Sequence, residues 1–220
     1  MRINTLLGLV SPIILTVMTS CSKIKNAEDH NSVSHQFNDS ILELTNDSLI
    51  IRENRKFDSL YKDYADALNR GDYEKSADFL PKQTFDRITR KEFVDYFKKS
   101  ETQIGKAKII AYQFSNYGSI LRKGDSSFRK VNYQSTVIIK SIADTIDHRI
   151  FNHLKSVYGD GNVSYEEAKG IYTIKQLTDL LLMKGKGNWT FLEYRERKEN
   201  KLIKRIIPKD VLAKLLGRKP

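Results

Sequence analysis

A second cysteine is absent from this chain. Cys21 stands alone, so no internal disulfide can form and the core must hold by packing. Apolar runs of membrane-spanning length are missing too. The longest apolar stretch, residues 6–18, carries Ser11, Pro12 and Thr16, and a spanning helix needs about 20 apolar residues with an unbroken helical ladder. Histidine is scarce. None of His30, His35, His148 and His153 lies three or four residues from another, the spacing that brings two ligands onto one helix face, which argues against a helical zinc pair. Neither a phosphate-cradling glycine loop nor a nucleophile-elbow serine motif occurs, and nothing in the chain calls for a cofactor.

What surrounds the lone cysteine is more informative. Arg2 supplies a positive start, residues 6–18 an apolar segment, and Thr19 and Ser20 are small residues just before Cys21. Secretory core segments run about 7–15 residues. The layout resembles a bacterial lipoprotein signal peptide cut before Cys21. That resemblance implies removal of residues 1–20, a thioether-linked diacylglycerol and an amide-linked third acyl chain on Cys21, and attachment to the cell envelope through it. Ser22, which is not aspartate, implies the outer membrane, with the periplasmic and surface faces both open. Two or three acyl chains anchor stably, whereas one chain, at about 0.8 kcal/mol per buried methylene, holds reversibly. A cysteine so used leaves no thiol nucleophile.

Residues 22–53 are rich in Ser, Asn, Asp, Glu and His, contain no proline or glycine, and gather apolar residues only toward 41–51. This composition predicts a polar tether over 21–53, mobile or partly helical. The alternative is that its second half is the first helix of the domain. The triplets Asp39-Ser40-Ile41, Asp47-Ser48-Leu49, Asp58-Ser59-Leu60 and Asp144-Thr145-Ile146 resemble the acceptor pattern of protein O-glycosylation in Bacteroidota. They make Ser40 and Ser48 candidate acceptors and Ser59, at a helix start, a poorer one, because a glycan needs an exposed segment.

The remainder, 54–220, reads as one folded domain. Phe57, Leu60, Tyr61, Tyr64 and Leu68 recur mostly at spacings of three and four and predict an amphipathic helix stopped by Gly71. Asp72 starts a short second helix that ends before Pro81, and Thr89 with Glu92 has the capping-box spacing of a third. Residues 106–120 and 128–141 are rich in β-branched and aromatic residues and predict an antiparallel pair turning at Gly124-Asp125. Val131, Tyr133, Val137 and Ile139 alternate with polar residues, which suits a sheet covered on one side. A helix over 145–158 and a turn at Gly159, Asp160, Gly161 and Asn162 follow, then short strands at 171–174, 179–184 and 189–197, the last two forming a hairpin. Residues 202–207 fit strand or helix, and Pro208 opens a final helix.

Helices first and long antiparallel strands after them predict an α+β fold: N-terminal helices packed on a curved, cone-like antiparallel sheet with a small helix-and-turn insertion. Tyr64, Ala65, Ala67, Leu68, Asn69, Gly71, Asp72 and Tyr73, with Leu80-Pro81 and the late Trp189, Phe191 and Leu192, resemble the nuclear-transport-factor-two-like superfamily over about 57–197. The resemblance implies a sheet wrapped around helices with a pocket at the wide end, used by some members for isomerase or dehydratase chemistry and by others for binding alone. Tyr64, Tyr96 and Tyr133 are the candidate pocket residues, with Asp95 near them in sequence. Aromatic residues on a periodic face also serve as core, and no buried acid–base pair can be named, so catalytic residues are not assigned.

The chain carries a formal net charge of +11. Residues 184–220 hold 12 Lys plus Arg against 4 Asp plus Glu, so the C-terminal segment supplies most of the excess. Lys204, Arg205, Lys209 and Lys214 are candidate contacts for anionic lipid or glycan. The bland alternative is a solvated face in which Arg195, Arg197 and Lys204 pair with Glu193, Glu196 and Glu199. Residues 159–167 look like half of a calcium loop, but Ser156 and Tyr158 occupy positions that need oxygen ligands. The functional expectation is a lipid-anchored, non-catalytic binding module for a small apolar ligand or an envelope protein, with nucleic acid disfavoured outside the cell. The alternatives are an isomerase- or dehydratase-like enzyme and a structural envelope protein touching anionic surfaces.

Overall fold

The computed structural model describes residues 41–86, 88–143, 145–195 and 201–218; Cys21, the apolar stretch 6–18 and Ser40 lie outside them. Strand β1 (Leu42–Glu43) leads into α1 (Asp47–Arg70). The Asn46 side chain accepts from the Leu49 N–H at 3.1 Å, and Gly71, at φ 80, closes the helix in the left-handed region. The helix therefore takes in residues 47–53, which composition assigned to the tether. Two contacts explain the difference: Ile50 packs against the core, and Glu53 pairs with Lys184 at 2.8 Å. The other helix signals behave as expected. Asp72 caps α2 (Tyr73–Ala77), a 3-10 turn follows, and Thr89 and Glu92 form the capping box of α3 (Arg90–Gln103).

The sheet comprises β2 (Gly105–Tyr117), β3 (Leu121–Lys123), β4 (Ser126–Ser141), β5 (Val163–Glu166), β6 (Ile171–Lys184) and β7 (Thr190–Tyr194), with α4 (His148–Tyr158) between β4 and β5. With β1 it makes one curved, unclosed antiparallel sheet of seven strands. Central β4 is flanked by β2 and β3 on one edge and by β6 on the other. Gly105 is needed where β2 begins: its φ is +127, and a Cβ there would stand 1.9 Å from the Lys140 carbonyl oxygen. Residues 175–178 join two expected short strands into the single β6. Its outward Leu177 hid the join, because an exposed leucine among polar residues blurs the alternation.

Each face of the sheet has its own core. Helices α1 to α4 cover the inner face, where Phe57, Tyr61, Tyr64, Tyr133, Ile174 and Phe191 are buried in one cluster. On the outer face, α5 (Lys201–Ile206) and α6 (Lys209–Leu215) bury Leu202, Ile203, Ile207, Val211 and Leu215 against Leu181, Met183 and Leu192. Residues 201–215 of the basic C-terminal segment thus form a folded cap, and residues 202–206 take the helical option. Among the described residues no helix is long and apolar enough to cross a membrane.

Candidate functional site: a cleft at the open edge of β6

On the edge of β6 away from β4, β5 pairs as far as Ile174 and β7 begins pairing at Asp179. Beside the intervening residues lies a cleft of about 950 Å³, walled by Gln176, Leu177 and Thr178, by Tyr158 at the end of α4 and Asn162 beyond it, and by Arg195 after β7. Strand period two turns Gln176 toward the same face as Ile174 and Leu180, and Glu193 toward the same face as Phe191. Both polar side chains are consequently buried.

They are buried as a set. Glu193 Oε1 accepts from Gln176 Nε2 at 2.7 Å and from Arg195 Nε at 2.8 Å, and Arg195 Nη2 lies 2.7 Å from the same oxygen. Arg195 also donates through Nη1 to the Val157 carbonyl at 3.2 Å and rests its guanidinium 4.6 Å from the Tyr158 ring centre. A buried carboxylate is tolerable when a guanidinium and further donors compensate its lost hydration, which is the arrangement here. Only the NH2 end of Gln176 can face that carboxylate, so its Oε1 is directed elsewhere. That oxygen is buried and accepts no hydrogen bond from any described residue, an unpaired acceptor on a residue that lines the cleft.

The outer wall is also preset. Thr178 donates from Oγ1 to the Tyr194 carbonyl at 2.8 Å. Asp179 accepts from Asn132 and has Lys130 at 3.5 Å. Leu177, at 77% exposure, offers an apolar contact at the mouth.

Of the tyrosines picked out by sequence, two meet in the inner core. Tyr61 stands between Tyr64 and Tyr133, with ring centres 5.5 and 5.1 Å away, and its hydroxyl bonds to that of Tyr133. Burial pushes the Tyr61 and Tyr64 hydroxyls well above the ordinary range and Tyr133 up to about 12. Phe57, Phe114 and Phe191 fill the space around them, so Tyr64 and Tyr133 are core side chains and line neither this cleft nor a second one at the β6–β7 hairpin. Tyr96 is half-buried on α3 against Phe97, apart from that cluster, and Asp95 is exposed. The expected tyrosine-lined pocket is therefore replaced by an aromatic filling.

Lys204, Arg205, Lys209 and Lys214 are exposed on α5 and α6, and Lys214 comes within 3.9 Å of Glu43. Ser48 and Ser59 are exposed on α1. Residues 163–166 of the calcium-like stretch form β5 against β6. Sequence reasoning overlooked Gln176 and treated Glu193 and Arg195 as part of a solvated charge stripe. The available signal was register: a carboxylate two residues after Phe191 falls on the same face of the strand. No family model, curated protein or solved structure matches the chain.

Proposed function

We propose that this chain is a lipid-anchored, non-catalytic binding module of the cell envelope, of the nuclear-transport-factor-two-like kind, whose small ligand seats in the cleft beside β6. The observation that carries the reading is Gln176: a buried amide on a residue lining the cleft, whose NH2 end is committed to Glu193 and whose oxygen accepts from no described residue. A ligand N–H or O–H there would complete the set, and Leu177 would cover an apolar part. Anchoring rests on Cys21 and the segment before it. An isomerase- or dehydratase-like reading needs an acid or base free to exchange protons with a substrate, whereas Asp179 on the cleft wall is held by Asn132 and Lys130 and Glu193 behind it spends Oε1 on Gln176 and Arg195. A second surface, for anionic lipid or glycan, is supported by the exposure of Lys204, Arg205, Lys209 and Lys214 on the cap.

Native mass spectrometry of the full chain purified from its own host tests the cleft. Extra mass that disappears on denaturation, and is absent from Gln176→Leu, supports the reading; a bare mass for the parent protein overturns it. Cys21→Ala is expected to abolish lipid labelling, and normal labelling of that variant would end the anchor.

A further inference from the structure

The second cleft, of about 650 Å³, opens where β6 turns into β7, and it shares no lining residue with the first. Its floor is apolar: Phe79, Phe128, Met183 and Trp189 are all nearly buried there. One wall is pinned to the sheet, because the Phe191 N–H donates to the Phe79 carbonyl at 3.1 Å. Four lysines border it, Lys75, Lys82, Lys184 and Lys186, against a single acid, Asp78.

Those charges are not equivalent. Lys184 is committed to Glu53 at 2.8 Å, and the same Glu53 oxygen accepts the Trp189 indole N–H at 2.8 Å, so Lys184 and Trp189 are fixed together. Lys75 lies 3.9 Å from Asp78, whose other oxygen is taken by Arg90 at 2.6 Å. Lys82 and Lys186 are exposed and make no ion pair with any described residue. Lys186 sits between Gly185 and Gly187, where an added Cβ would meet nothing within 4 Å, so the loop backbone is open to close approach. Scattered surface lysines attract anions weakly, because water screens them. A rim of net positive charge above a recessed apolar floor is different, since the walls exclude part of that water and focus the field.

We infer that this cleft binds a small organic anion, a phosphate or carboxylate carried on a short apolar stem, with the anion between Lys82 and Lys186 and the stem against Trp189 and Phe79. The cleft lies apart from the Gln176 site and does not depend on it. The apolar floor gives such a ligand an advantage over a bare anion, and the lysines an advantage over a neutral alcohol.

Trp189 is the chain's only tryptophan, so its emission reports on the floor directly. The full chain titrated with hexyl phosphate should show a saturable change in that emission. Hexanol should bind at least tenfold more weakly, and so should inorganic phosphate. The double variant Lys82→Gln/Lys186→Gln changes only exposed side chains, keeps the fold, and should lose at least tenfold in hexyl phosphate affinity. Absence of a saturable change, hexanol binding as tightly as hexyl phosphate, or unchanged affinity in the double variant would overturn the inference. Phosphatidylcholine vesicles doped with phosphatidic acid then separate the sources: displacement of hexyl phosphate assigns the site to a lipid head group, and its persistence assigns it to a soluble anion.

Discussion

Phe191 and Leu192 are neighbours on β7 and both are fully buried, yet they belong to different cores. Phe191 lies under α1 in an aromatic cluster, edge to face with Tyr64 at 4.9 Å and tilted against Tyr61 at 5.3 Å. Leu192 lies beneath α5 and α6 among aliphatic side chains. The inner core is closed by a 24-residue helix, whereas the outer cap consists of helices of 6 and 7 residues, too short to persist without the burial they share. The difference explains where ligand space can exist. A face filled by rings leaves little room between them, and the two clefts lie where the sheet loses its cover, at the edge of β6 and at its hairpin.

Truncating each neighbour in turn tests whether these are separate units. Phe191→Ala should cost about 3–5 kcal/mol and Leu192→Ala about 2–4 kcal/mol in chemical denaturation. The sharper readout is hydrogen exchange. Leu192→Ala should strip protection from 201–215 before α1 loses any, whereas Phe191→Ala should lower protection in α1 and the sheet together. If Leu192→Ala instead deprotects α1 and the cap in step, the two cores unfold as one and the comparison fails.

Glu53 ties α1 to the hairpin and gives the next largest effect. Burial tends to raise its carboxyl, but hydrogen bonds from Lys184, Lys56 and Trp189 outweigh that and hold it down to about 2, from an ordinary 4.5. Because the folded-state value is the lower one, the stabilisation is complete above pH 4.5 and is lost as pH falls toward 2. Glu53→Gln should therefore cost about 1–2 kcal/mol near neutrality once solvent screening is allowed for. The gap from the parent should close in acid, and a gap that stays constant down to pH 2 would show that the ion pair is not its source.

These elements differ in how readable they are from sequence. The helix ends were legible because capping is local: Gly71, Asp72 and the Thr89–Glu92 box each act within a few residues. The start of α1 was not, because what holds residues 47–53 is Lys184 and Trp189, more than a hundred residues away. The α+β order followed from the succession of periodicities. That Tyr64 and Tyr133 fill the interior did not, since period alone cannot tell a ring lining a hollow from one filling it. The Gln176, Glu193 and Arg195 set is legible only once β6 is known to be one strand, because the register of β7 depends on it.

Within the inner core, the Tyr61–Tyr133 hydroxyl pair contributes on a similar scale. Tyr133→Phe leaves the Tyr61 hydroxyl buried without that partner and should cost about 1–2 kcal/mol in thermal or chemical unfolding. All three buried hydroxyls titrate above the ordinary tyrosine value of 10.0 when folded. The chain should accordingly lose stability as pH rises past that value, where the unfolded state releases protons first. Tyr133→Phe should flatten this alkaline decline, and an unchanged decline would locate it in other groups.

The smallest effect on stability belongs to the solvent side of the cap, and there the comparison predicts a separation of folding from binding. Lys204, Arg205, Lys209 and Lys214 are exposed, while the residues that hold α5 and α6 down are their apolar neighbours. Changing all four to Gln should move stability by no more than about 0.5 kcal/mol, as exposed charges usually do. Lys214, with Glu43 at 3.9 Å, should account for part of any loss. Binding to phosphatidylglycerol vesicles should nevertheless weaken and lose much of its salt dependence, because the attraction between exposed charges decays over a Debye length of about 8 Å at physiological ionic strength. Equal vesicle binding by parent and variant across salt would remove the cap as an anionic-surface contact and leave it as packing for the outer core alone.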